Sequence, residues 1–258
     1  MSDDPKPRSG LSSEPTSAAL RVRITAGILY AAARFTPVPL LDDVLREQIT
    51  GWMVRATIPG SFPKSGIKPL WASEDGCLGG CLNAALWLPI KILLFPIRKV
   101  IAIALSVRWV SRDLAEMLLL GRVLDHALDV GLLQDGRDSA ELAQQSREIR
   151  KAFDVALKST DTGFLSALIG TTLGPLRGLV AASMRTLQRF RRSDAEAPAP
   201  EGGDKAVIEA SVGRIEAMLA QPEVRRFLAE FDARVLENLE VLAKRRGALP
   251  PGGADPQS

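Results

Sequence analysis

Cysteine and histidine are almost missing from this chain of 258 residues, which has two Cys and one His. A structural zinc site takes four nitrogen or sulfur ligands, so three such residues cannot supply one. Nor do two cysteines make a disulfide framework, which favours a reducing compartment. Cys77 and Cys81 are spaced C-x3-C, whereas redox dithiols use C-x-x-C. In a Gly-rich setting they read as small buried hydrophobes. The sequence also lacks a Walker A loop, G-x-G-x-x-G, H-E-x-x-H and G-x-S-x-G, so no nucleotide, metal or acyl-transfer site is written in it. No cofactor, metal or catalytic residue is expected. Aromatic residues are few, at 5%. The helix-favouring Leu, Ala and Arg are abundant, which favours helix over sheet.

A second absence is local. From Gly76 to Arg112 there is no Asp or Glu, and from Thr162 to Ser193 there is again none. The first stretch holds Lys91, Arg98, Lys99, Arg108 and Arg112, and the second holds Arg177, Arg185, Arg189, Arg191 and Arg192. The formal net charge is +3. These two segments alone carry +10, so the remainder sums to −7. Apolar area and positive charge together attract anionic lipid head groups. The predicted head-group contacts are Lys91, Arg98, Lys99, Arg108, Arg177, Arg185, Arg189, Arg191 and Arg192. With no acid nearby in sequence, local i,i+4 pairing is closed to them; distant partners such as Asp42, Asp43 or Glu47 remain open. Nucleic acid is not the expected partner, because these cations lie among Leu, Ile and Val rather than among hydrogen-bonding side chains.

Residues 1–17 are polar and rich in Pro and Ser, and read as a disordered tail. Arg21 and Arg23 before the apolar run Ile24–Tyr30, with Ala31 and Ala33 after it, resemble a secretory signal, but the run is short and starts late, which argues against that reading. Helices are predicted over 18–34, ended by Pro37-Val38-Pro39, and over 40–57, with Asp42 and Asp43 at the positive end of its dipole. Residues 58–76, rich in Pro and Gly, read as a loop. Leu78–Ile90 is apolar apart from Asn83, but is shorter than the ~20 residues that span a bilayer. It suits a buried, re-entrant or interfacial helix. A long helix runs from Pro96 to about Leu133, and an amphipathic one follows over 137–159, with Leu142, Ile149, Phe153 and Leu157 on its stripe.

Phe164–Met184 has one charge, Arg177, and is the stretch closest to spanning length. It carries small residues at every fourth position: Ser166, Gly170, Gly174, Gly178 and Ala182. On one helix these form a ridge that admits another backbone closely, in a membrane or in a soluble bundle. Pro175 predicts a kink or a new helix start near Gly174. Asp161 or Thr162 reads as the N-cap of this segment.

Residues 193–204 read as a linker. Residues 205–246 read as a helical hairpin broken at Pro222, with balanced charge and an apolar stripe from Val224 to Leu242. They offer a surface for a protein partner or for self-association. Residues 247–258 read as a second disordered tail.

The run Arg34-Phe35-Thr36-Pro37-Val38-Pro39-Leu40-Leu41-Asp42-Asp43 and the later Leu118–Asp125 resemble bacterial helical, membrane-associated proteins built around an F-x-P-x-P-x-x-D-D element. The resemblance implies no activity and no site residues.

The expected fold is therefore all-α: a bundle with two central apolar, basic segments (Leu78–Val110 and Phe164–Met184) in a core domain over 18–192, and a C-terminal helix pair. The expected role is non-enzymatic, structural or regulatory, on the cytoplasmic face of a membrane. Two alternatives stand beside it. One is a soluble bundle binding a lipid or other apolar ligand. The other is a lipid-acting enzyme, which requires Asp42, Asp43, Asp125, His126 and Asp129 to converge.

Overall fold

The computed structural model describes residues 17–36, 41–58, 60, 62–72, 95–174, 176–192 and 197–248; for residues 17, 95–108 and 243–248 it describes the backbone alone. Among these residues the protein is all-α, with nine α-helices, one 3-10 turn and no strand. The helices are α1 (Ser17–Ala33), α2 (Leu41–Thr57), α3 (Lys64–Ile67), α4 (Phe95–Asp129), α5 (Ser139–Ser159), α6 (Gly163–Leu173), α7 (Leu176–Arg192), α8 (Gly202–Leu219) and α9 (Pro222–Ala248). The 3-10 turn, Lys68–Leu70, follows α3 directly. The stretch 58–76, expected to be a loop, thus contains a short helix and this turn.

Helix α1 is the hub. It is apolar on nearly every side, which is the signature of a helix buried all round. Ile24, Ala26, Leu29, Ala31 and Ala33 are each fully enclosed. It packs on α2, α4, α7 and α8. The contact with α4 is the most intimate, and glycine on each helix makes it so. A Cβ at Gly27 would lie 2.2 Å from Leu114 Cδ1 and 3.3 Å from the Leu114 Cα. A Cβ at Gly121 would lie 2.4 Å from Arg23 Cδ.

Helix α4 runs 35 residues without a break, about 52 Å at 1.5 Å per residue. Its described core residues run from Val110 to Ala127. Helix α5 begins with Asp138 capping the Ala140 N–H at 3.0 Å. It buries Leu142, Ile149, Ala152 and Phe153, in line with the predicted stripe.

The second acid-free segment is two helices, not one. Gly174 ends α6 with φ +65°, a left-handed conformation that glycine adopts freely. Helices α6 and α7 meet at 92°. The spacing of four therefore does not form a single ridge: Ser166 and Gly170 lie on α6, Gly178 and Ala182 on α7, and Gly174 at the bend. Gly174 and Gly178 are exposed, and a Cβ at Gly178 would meet nothing within 4 Å. A periodicity of four holds only while the helix continues.

The C-terminal pair is woven into the bundle. Helix α8 lies against α7, α6 and α1, while α9 lies against α5 and α4. Each helix of the pair packs more on the rest of the protein than on the other. Phe231 of α9 meets Phe153 of α5 edge to face, with ring centres 6.2 Å apart.

Candidate functional site

Between helices, seven arginines meet five carboxylates, some in the interior and some at its edge. Arg23, 2% exposed, crosses Gly121 and donates both Nη groups to Asp125, one turn further along α4. Asp113, 1% exposed, accepts from Arg34 through Nε and Nη2 and from Arg46 Nη2 at 3.3 Å. Arg122 of α4 pairs with Asp232 of α9 at 2.8 Å. Arg185 and Arg189 of α7 converge on Asp204 of α8, at 2.6 and 3.0 Å. Arg21 of α1 meets Glu216 of α8 at 3.0 Å. Bidentate geometry of this kind is what makes arginine suited to burial with carboxylates.

Beside the Arg34–Asp113–Arg46 group lies a partly open pocket of about 220 Å³. Helix α2 supplies one wall through Asp43, Arg46, Glu47 and Thr50. Their spacing of three and four places them on one side of the helix. Tyr30 comes from α1, Glu116, Met117 and Leu120 from α4, Arg150 from α5, and Trp71 from the end of the 3-10 turn.

Both guanidinium groups of the pocket have partners, although the Arg46 Nε is buried without one. Arg46 stacks over the Tyr30 ring at 4.0 Å and reaches Asp113. Its backbone carbonyl accepts the Thr50 hydroxyl at 2.8 Å. Arg150 donates to the Leu70 carbonyl at 3.2 Å and pairs with Asp154 at 3.1 Å.

Glu116 differs from both. Its carboxylate has no hydrogen bond or ion pair with any described residue. Burial pushes its pKa above the usual carboxylate value, and the charges of Arg150 and Arg46 only partly offset this. Burial likewise raises the Tyr30 phenol, against the pull of Arg46.

The predicted site residues fare unevenly. Arg177, Arg191 and Arg192 are exposed on α7. Arg185 and Arg189, expected at a lipid surface, are held by Asp204 instead. The segment is acid-free in sequence but not in space, because its carboxylate arrives from the next helix. Lys91, the side chains of Arg98, Lys99 and Arg108, and Cys77 and Cys81 lie outside the described residues.

Of the five residues weighed as an enzymatic set, Asp43 lines the pocket while Asp125 is bound to Arg23. Asp125 lies nine residues beyond Glu116 on α4, about 13 Å along the axis. His126 sits near Asp232, with its Nε2 buried and unpartnered. The five therefore do not share the pocket. Among the described residues no group of three His, Cys, Asp or Glu side chains is placed to hold a metal ion.

Compared with known proteins, the chain matches no family model, no curated sequence and no solved structure.

Tyr30, Arg46, Glu116 and Arg150 carried no signal as a set in the sequence. They are isolated polar residues on four helices, and only the packing joins them. Arg23 and Tyr30 are polar groups within the otherwise apolar α1, a signal that treating Ile24–Tyr30 as a plain apolar run passes over.

Proposed function

We propose that the protein is a non-enzymatic, structural or regulatory component of an anionic membrane surface, held there through apolar, basic helix rather than by a simple span. The observation that carries this reading is the make-up of α4. Its N-terminal half, 95–108, continues the acid-free apolar segment, with Arg98, Lys99 and Arg108 its only charges. Its other half carries the ion-paired core. At the junction Trp109 is 40% exposed, with the Arg34 guanidinium 5.2 Å from its ring and Arg112 exposed one turn on. An exposed Trp beside arginines suits the head-group level of a bilayer. Anionic lipid on the cytoplasmic leaflet suits the basic segments.

Among the described residues no single helix is long and apolar enough to cross a membrane. Helices α6 and α7 reach that length only together, across their 92° bend, and they bury Leu165, Ile169, Leu173, Leu176 and Leu179 in the bundle. This favours attachment at the surface or shallow entry.

The test is flotation of full-length protein with vesicles of phosphatidylcholine alone or with added phosphatidylglycerol. Binding is expected to the anionic vesicles and to fall with salt. With Trp52, Trp71 and Trp87 replaced by Phe, the emission of Trp109 should shift to the blue on binding. Changing Arg177, Arg191 and Arg192 together to Gln should weaken binding roughly a hundredfold, at about 1 kcal/mol per charge. Protein left in solution by both kinds of vesicle, or bound equally to both, overturns the reading.

A further inference from the structure

We infer that the pocket between α1, α2, α4 and α5 binds a small organic ammonium ion, with Glu116 as its principal partner. This inference does not rest on the membrane reading.

The argument is one of unspent charge. Two guanidinium groups and three carboxylates line the cavity. The guanidiniums of Arg46 and Arg150 are committed to Asp113 and Asp154, which lie outside the lining. Glu116, Asp43 and Glu47 form no hydrogen bond or ion pair with a described residue. Arg34, Arg46 and Arg150 thus stand against the five carboxylates Asp113, Asp154, Asp43, Glu47 and Glu116, and of the three that line the space Asp43 and Glu47 are exposed while Glu116 is half-buried.

Glu116 is the telling member of this set. A half-buried carboxylate without a hydrogen-bond partner loses hydration, and here the charges of Arg150 and Arg46 only partly offset that loss. Its raised pKa is the mark of that loss. A cation in the cavity would supply the missing charge and donor.

The shape narrows the class. The volume of about 220 Å³ exceeds the 150 Å³ cavity known to hold benzene, and falls short of the 300–1,000 Å³ typical of drug-sized ligands. No three of the acidic groups are arranged as metal ligands, so a bare ion is not the fitting occupant. An ammonium group can donate to Glu116 and to the Tyr30 phenol oxygen, which has no hydrogen-bond partner among the described residues. The carbon skeleton can rest on Met117, Leu120 and Trp71.

Calorimetric titration of the full chain with n-butylammonium and with n-butyrate tests the sign of the ligand at nearly constant size. Butylammonium should bind and butyrate should not, although the whole protein is positively charged. Binding should release protons near the raised pKa of Glu116, seen as a dependence of the heat on the buffer. Glu116→Gln, which keeps the shape, should weaken butylammonium about tenfold or more, the share of one charge-assisted hydrogen bond. Glu209→Gln, on the exposed side of α8, should leave binding unchanged. Circular dichroism and the melting temperature establish that Glu116→Gln is folded. Absence of butylammonium binding, equal binding of butyrate, or a folded Glu116→Gln variant with parental affinity overturns the inference.

Discussion

Gly27 of α1 rests on Leu114 of α4 with no room for a side chain between them: a Cβ would stand 2.2 Å from Leu114 Cδ1. Leu114 is fully buried, so its methyl group has nowhere to retreat. Gly27→Ala should overpack the contact by about 1–3 kcal/mol. It regains up to ~1 kcal/mol because alanine is the better helix former. A net loss of about 1–2 kcal/mol in urea unfolding is expected. Gly178→Ala should do the reverse. Position 178 is helical and exposed, and a Cβ there meets nothing within 4 Å, so a gain of up to about 1 kcal/mol is expected.

The Arg23–Asp125 pair should respond asymmetrically to mutation. Arg23 is 2% exposed and Asp125 is 23% exposed. Asp125→Ala strands a guanidinium in the core and should cost about 3–5 kcal/mol. Arg23→Met removes that buried charge and leaves a carboxylate with access to water, so it should cost clearly less. Combining Arg23→Met with Asp125→Ala should recover much of the loss. Chemical denaturation of the three variants gives the coupling, and equal costs for the two single changes would contradict the burial described.

Glu116 and Asp204 should impart pH dependences of opposite sign. The hydrogen bond from Arg185, with Arg189 beside it, holds the Asp204 carboxyl below its ordinary 3.8. Its contribution is complete above pH 3.8 and lost as pH falls through the lowered value. The advantage of the parent over Asp204→Asn should therefore shrink in acid.

Glu116 is raised above 4.5 by burial. The folded state binds its proton more tightly than the unfolded chain does, so the penalty appears as pH rises through the raised value and is absent below 4.5. Glu116→Gln should then be more stable than the parent at neutral pH and equal to it below 4.5. Thermal melts of the three proteins from about pH 2 to 8, reaching below the ordinary value of Asp204 and above that of Glu116, would show the two opposite trends.

Much of the helix order was legible because its signals are local. Residues 18–34 and 40–57 were marked by apolar runs and prolines, and the helices span 17–33 and 41–57. Pro175 announced the break that divides α6 from α7. The close contacts were not legible. A spacing of four pointed to Gly170, Gly174 and Gly178, but Gly27 and Gly121 make the tight α1–α4 seam, and they owe it to what faces them. Charge misled for the same reason. Arg185 and Arg189 have no acid three or four residues away, their partner Asp204 stands at the end of the predicted linker, past Asp194, Glu196 and Glu201, and only the packing of α8 on α7 shows the match. The pocket combines side chains of α1, α2, α4 and α5, which no linear pattern relates.

The edge-to-face contact of Phe153 with Phe231 makes the C-terminal pair a test of cooperativity. Both rings are fully buried, one on α5 and one on α9. Arg122 and Asp232 add a second tie between α4 and α9, and Arg21 and Glu216 a tie between α1 and α8. A helix pair hinged on a linker would unfold by itself and leave the rest intact. These contacts instead join it to the hub and to α5. Phe231→Ala should cost about 3–5 kcal/mol, the usual loss for a buried phenylalanine. The loss should appear in one transition, with the same midpoint for helix content and for tryptophan fluorescence. Ending the chain at residue 201 should expose Phe153 and the faces of α1 and α6 that α8 covers, and leave a protein that aggregates or melts without cooperativity. Two separated transitions in the Phe231→Ala variant, or a truncated chain that melts as sharply as its parent, would show that α8 and α9 are an appendage.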